Sequence, residues 1–88
     1  MKRVRAEVSG TVQGVFFRET VRRAAEAHGV AGWVRNCSDG SVEAVLEGAD
    51  GAVDSVVEVC RTGSEPARVQ EVSVSVEEPA GLTGFEVR

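Results

Sequence analysis

The residues best suited to chemistry are an arginine, an asparagine and the glycine-bearing loop before the arginine. The stretch Gly10-Thr11-Val12-Gln13-Gly14-Val15-Phe16-Phe17 leads directly into Arg18, where a helical pattern begins. A helix N-terminus presents unpaired backbone N–H groups and a partial positive charge. Glycines at 10 and 14 let the loop curl so that its N–H groups converge, which would make an anion site. Arg18 stands where its guanidinium could fork onto two oxygens of the same anion. Taken alone, the loop reads equally well as a turn with Arg18 as a solvated charge. It is neither a Walker A loop, since no Gly-Lys-Ser/Thr follows, nor a dinucleotide fingerprint.

Asn36 is the second candidate. It shares a strand face with Val34, at the strand's end. A polar amide there serves either the turn at Asp39-Gly40 or a site. The remaining inventory is thin. No Ser-His-Asp set, no cysteine with a histidine partner and no metal-ligand cluster is present. His28, the only histidine, lies about 15 Å along the helix from Arg18 and reads as a C-terminal helix residue interacting with the dipole rather than as a general base. Cys37 and Cys60 lack metal-site spacing. They read as buried free thiols, with a disulfide left open. Any chemistry must therefore run on positioning and electrostatics, with no cofactor.

Those residues need a scaffold. Val4, Ala6 and Val8 alternate with charged residues over Arg3–Ser9, the pattern of a half-buried strand that Gly10 ends. Phe17, Val21, Ala24, Ala25 and His28 form one stripe of a helix from Phe17 or Arg18 to His28. Gly32–Cys37 and Ser41–Glu47 make a hairpin about Asp39-Gly40, with Val42, Ala44 and Leu46 toward the core. Asp50 is placed to cap a second helix over Gly51–Arg61, buried through Val53, Val56, Val57 and Cys60. Arg68–Glu77 is a strand in which Val69 is out of phase with Val72, Val74 and Val76, so either a bulge or a strand that starts after Val69 is expected. Phe85–Arg88 is a short final strand. The order β-α-β-β-α-β plus a terminal strand predicts an α+β, ferredoxin-like sandwich, an antiparallel sheet with two helices on one face.

Composition agrees and excludes. The chain has 88 residues, 42% hydrophobic and 27% charged, enough for one domain over 1–88 and no second. Its net charge of −4 disfavours nucleic acid, which needs clustered positive charge. Neither a signal peptide nor a membrane span is visible, so the cytoplasm is the expected location and a monomer the expected form.

Gly10-Thr11-Val12-Gln13-Gly14-Val15-Phe16-Phe17-Arg18 resembles the first signature of the acylphosphatase family. Gly32-Trp33-Val34-Arg35-Asn36, followed by Asp39-Gly40-Ser41-Val42-Glu43, resembles the second. Pro66-Ala67-Arg68-Val69 and Gly84-Phe85-Glu86-Val87-Arg88 also look like family positions. The likeness spans essentially the whole chain. It implies a metal-free hydrolysis of acyl phosphates to a carboxylate and inorganic phosphate, which is also an inhibitor. It implies that Arg18 binds the phosphoryl group and that Asn36 orients the attacking water. It further implies that the backbone N–H groups of Gln13, Gly14, Val15, Phe16, Phe17 and Arg18 hold phosphate oxygens. Three rivals stand beside it. A carbamoyl-phosphate module of a larger maturation enzyme would be expected to continue past Arg88. An RNA-recognition domain would need sheet-face aromatics, and a metal carrier a paired-cysteine loop.

Overall fold

The computed structural model describes all residues from Met1 to Arg88. Strands β1 (Lys2–Thr11), β2 (Ala31–Asn36), β3 (Val42–Gly48), β4 (Arg68–Glu77) and β5 (Phe85–Val87) form one sheet in the order β4-β1-β3-β2-β5. Helices α1 (Phe17–Ala27) and α2 (Asp50–Thr62) cover one face. The core lies between, where Val4, Val8, Val34, Val42, Ala44 and Leu46 meet Phe17, Val21, Ala25, Val53, Val56 and Cys60. This is the ferredoxin-like sandwich that the periodicities predict. Its first four strands pair antiparallel, whereas β5 joins β2 in parallel.

Several local expectations shift. Asp50 does not cap α2: the N-cap is Ala49 and no side chain bonds there. Asp50 is instead the first helical residue, where its charge still favours the dipole. His28 follows the last turn of α1 and is exposed rather than part of the buried stripe. Cys60 is buried and its thiol is pushed up to about 12 by burial, while Cys37 is half-buried; both are free. The bulge near Val69 is present. Ser9 pairs with Glu71 and Gly10 with Val69, which leaves Gln70 as the extra residue. Gly10 therefore belongs to β1 and absorbs this irregularity rather than curling the loop.

The face away from the helices is not bare. Glu43 and Glu47 of the central strand β3 are 8% and 2% exposed. Glu43 is gripped by Arg5 and by Arg35, and Glu77 takes Arg3 at 3.0 Å and Arg5 at 2.6 Å. Trp33 lies among them, with the guanidiniums of Arg88, Arg5 and Arg35 at 4.8, 5.6 and 5.8 Å from its ring centroid. Glu47 has a different task. Since β4 and β5 lie at opposite edges, residues 78–84 must cross the sheet. The Glu47 carboxylate accepts the backbone N–H groups of Ala80 and Leu82, both at 2.8 Å, and so pins the crossing.

All three carboxylates titrate below their ordinary 4.5. For Glu77 the cause is hydrogen bonding from Arg5 and then Arg3. For Glu47 it is first the Ala80 N–H, opposed by burial and reinforced by Leu82. For Glu43 burial is the largest single influence and pushes upward, but Arg35 and Arg5 together outweigh it.

Two outcomes follow. A folded value depressed below the unfolded one gives stability that is complete above the unfolded value and lost as pH falls through the folded value. The urea midpoint should therefore be flat near neutrality and fall below about pH 4.5; a midpoint that rises on acidification would contradict the ion-pair assignment. Gly10 has φ +124°, and a Cβ there would lie 2.1 Å from Arg68 O and 2.8 Å from Gln70 N, both immovable backbone. Gly10→Ala should cost roughly 2–4 kcal/mol in urea denaturation; a loss below about 1 kcal/mol would show that the bulge is pliable.

Candidate active site

The loop between β1 and α1 has alternating backbone handedness. Gly14 has φ +72° and Phe16 φ +62°, while no other non-glycine residue of the chain has a positive φ. Alternation of this kind turns successive N–H groups toward one side and makes an anion-binding concavity. Gly14 adopts the conformation freely, whereas Phe16 carries about 1–2 kcal/mol of left-handed strain. Phe16 is also the N-cap of α1, and no side chain caps that helix end. The first N–H groups of α1 are thus left to face the same concavity.

Side chains hold the loop at both ends. Gln13 Nε2 donates to Cys37 O at 2.8 Å and Ser41 O at 2.9 Å, tying the loop to the β2–β3 turn. Ser64 Oγ donates to Val15 O at 2.6 Å, tying it to the segment after α2. The motif drew attention to the main chain of Gln13; its side chain proves to be the clamp. Ser64 carries no sequence signal, because its partner lies 49 residues away.

Arg18 opens a cleft of about 490 Å³ lined also by Val12, Gly14, Phe16, Phe17, Glu19, Arg22 and Val87. Its Nη1 donates to the main-chain oxygen of Arg88 at 3.0 Å, and the Arg88 N–H in turn donates to Val34 O at 2.8 Å. Next to Arg18 on α1, Glu19 is held down to about 2 by hydrogen bonds from Arg22 and then Arg23. It is ionised, matched in charge and a feeble base.

Asn36 does not line that cleft. It borders a neighbouring one of about 590 Å³ with Arg5, Trp33, Arg35, Glu43 and Arg88. Two connections join the clefts: the Gln13 clamp on Cys37, next to Asn36, and Arg88, which borders one cleft and holds Arg18 in the other. The turn at Asp39-Gly40 does not use the Asn36 side-chain oxygen. Asp39 Oδ1 accepts the N–H of Ser41 at 2.9 Å and its hydroxyl at 2.6 Å, and Cys37 N–H bonds Ser41 O at 2.8 Å. Asn36 Oδ1 is buried with no hydrogen-bond partner in the protein, a condition that asks for an explanation. No three His, Cys, Asp or Glu residues converge as metal ligands.

Comparisons with known proteins agree with the motifs. The family model for acylphosphatase matches residues 4–87. An acylphosphatase of Haloquadratum walsbyi is 60% identical over 92% of this chain and 87% of that protein. One of Rubrobacter xylanophilus is 61% identical over 99% of this chain and 80% of that protein. The crystal structure of acylphosphatase from Bacillus subtilis superposes with a TM-score of 0.96 at 38% identity, covering 100% and 99% of the two chains. With its fold, its two signatures and four fifths or more of each relative's length in register, this chain belongs to the acylphosphatase family.

Proposed function

We propose that Arg18 and the backbone N–H groups from Gln13 to Arg18 bind the phosphoryl group, and that Asn36 orients the attacking water. The reaction is the one that family membership assigns to the chain, hydrolysis of acyl phosphates. The observation that carries the role of Asn36 is its buried, unpartnered Oδ1. An amide oxygen can accept a hydrogen bond from water and so turn a water lone pair toward phosphorus. The observation that supports the cradle is the left-handed pair Gly14 and Phe16 leading into an uncapped helix.

In this reading the phosphoryl oxygens sit in the concavity, and the guanidinium of Arg18 turns from Arg88 O onto two of them. Water attacks in line with the breaking bond, and the carboxylate departs opposite. The acyl group is already a good leaving group, so positioning and charge stabilisation carry the reaction. Glu19 is too weak a base to take the water's proton, which passes to a phosphate oxygen of the substrate. Inorganic phosphate, the product, competes for the same cradle. The domain acts as a monomer in the cytoplasm; no helix is long and apolar enough to cross a membrane.

Losing a preorganised charge-stabilising donor costs about 10²–10³ in rate. Arg18→Ala should lose activity on that scale, and Arg18→Lys should recover only part, because an ammonium cannot fork. Steady-state rates within a few-fold of wild type would remove Arg18 from the reaction. Asn36→Ala should lower kcat while leaving inhibition by inorganic phosphate nearly unchanged. If phosphate affinity collapses and turnover survives, Asn36 is a phosphate ligand instead.

A further inference from the structure

The left-handed backbone of Phe16 needs a restraint, and the hydrogen bonds on either side of it show where that restraint lies. Phe16 has φ +62° and ψ +20°, and a strained backbone persists only where its surroundings dictate it. Its own carbonyl is fixed by α1. Phe16 O accepts the Thr20 N–H at 3.0 Å and the Thr20 hydroxyl at 2.9 Å, so the helix sets the peptide that follows Phe16. The peptide that precedes it has a single hydrogen bond. Val15 O accepts the Ser64 hydroxyl at 2.6 Å and no other donor, and the Phe16 N–H has no partner in the protein.

A trans peptide is planar, so its carbonyl oxygen and its N–H point in opposite directions. Every peptide of this chain is trans. Ser64 is buried and takes no part in lining the Arg18 cleft. A Val15 carbonyl drawn toward Ser64 therefore turns the Phe16 N–H the other way, toward the concavity. Rotation of this one peptide by about half a turn would return Phe16 to negative φ, the ordinary region for a residue with a Cβ. The same rotation would put the negative end of the Val15 carbonyl where phosphate oxygens are proposed to sit. Strain at Phe16 favours the rotation, and the Ser64 bond opposes it with a free energy of the same order.

The hydroxyl is itself anchored. Ser64 O accepts the Ala67 N–H at 3.0 Å, which closes a turn. A Cβ at Gly63 would lie 3.2 Å from Phe17 Cε2, so glycine there lets the end of α2 press on the start of α1.

We propose that Ser64 is a positioning residue of the reaction: its hydroxyl latches the Val15–Phe16 peptide in the orientation that aims the Phe16 N–H into the phosphate cradle. The proposal rests on the cradle reading above. Ser64 touches no substrate. It acts through one peptide plane, and it is matched to the strain of one residue.

The test crosses Ser64→Ala with Phe16→Gly and reads inhibition by inorganic phosphate and kcat/KM for acetyl phosphate. Apparent affinity falls with the fraction of protein in the competent state. One hydrogen bond is worth about three- to tenfold, and Ser64→Ala should weaken phosphate inhibition and lower kcat/KM by about that factor. In the Phe16→Gly background, where the left-handed region carries no strain, the same substitution should cost about twofold or less. An equal loss in both backgrounds would assign Ser64 to general stability and overturn the latch, as would phosphate inhibition unchanged in Ser64→Ala. Should Ser64→Ala fail to fold, Ser64→Cys, with its weak donor, is read by the same comparison. Amide NMR separates the latch from the reading beneath it. Phosphate should shift the Phe16 amide in wild type, and in Ser64→Ala the midpoint of that shift should move to higher phosphate by the same factor. No shift in wild type removes the cradle and the latch with it; a shift whose midpoint stays put removes the latch alone.

Discussion

A buried carboxylate that accepts two backbone N–H groups organises the site from a distance. Glu47 sits on the central strand and catches residues 80 and 82 as the chain crosses from one sheet edge to the other. That crossing is what delivers β5 to β2. Through β5 the main chain of Arg88 reaches Val34 on one side and the guanidinium of Arg18 on the other. A charged acceptor suits the task because its bonds to N–H are stronger than those of a neutral carbonyl. It also relieves backbone donors that would otherwise lie unpaired over a protein surface. Arg18 is thereby held beside the β1–α1 loop by a main-chain acceptor.

The proposed phosphate cradle is built from main chain, and main-chain geometry is costly to hold without fasteners. Gln13 and Ser64 supply them from opposite sides, one reaching the β2–β3 turn and the other emerging after α2. Both clamps donate to carbonyl oxygens, so the loop's own N–H groups stay free. In the proposed mechanism, preorganisation of this type would let the donors meet developing charge with no reorganisation during the reaction. It also accounts for a site almost without titrating groups. Glu19, the only acid in the Arg18 cleft, is neutralised by arginines on its own helix.

Short-range information was legible and long-range information was not. Alternation and helical stripes placed every element to within a few residues, because apolar spacing reports which face is buried. Arg18 and the loop were visible because glycines before a helix constrain the local backbone. Gly10 was misjudged: its reason for being glycine is the close approach of Arg68 O across a strand pair, which no local pattern encodes. Asp50 was read as a cap, but capping depends on one residue's φ/ψ and moved to Ala49. The left-handed Phe16 was invisible, since nothing in its side chain favours that conformation. The turn reading of Asn36 lost its support only once Asp39 and Ser41 were seen to close the turn by themselves. Glu43 and Glu47 looked like solvent-facing charges of an alternating strand; their burial comes from arginines and a crossing segment distant in sequence.

The arginine-flanked indole has an optical consequence. The chain contains one tryptophan and no tyrosine, so its near-ultraviolet emission reports a single point in the fold. Trp33 touches the guanidinium of Arg88, whose main-chain oxygen is the resting partner of Arg18. Movement of Arg18 toward an anion is therefore one residue removed from the fluorophore. With Arg18 as the proposed phosphate ligand, occupancy of the site would change the emission intensity without label, coupling enzyme or turnover.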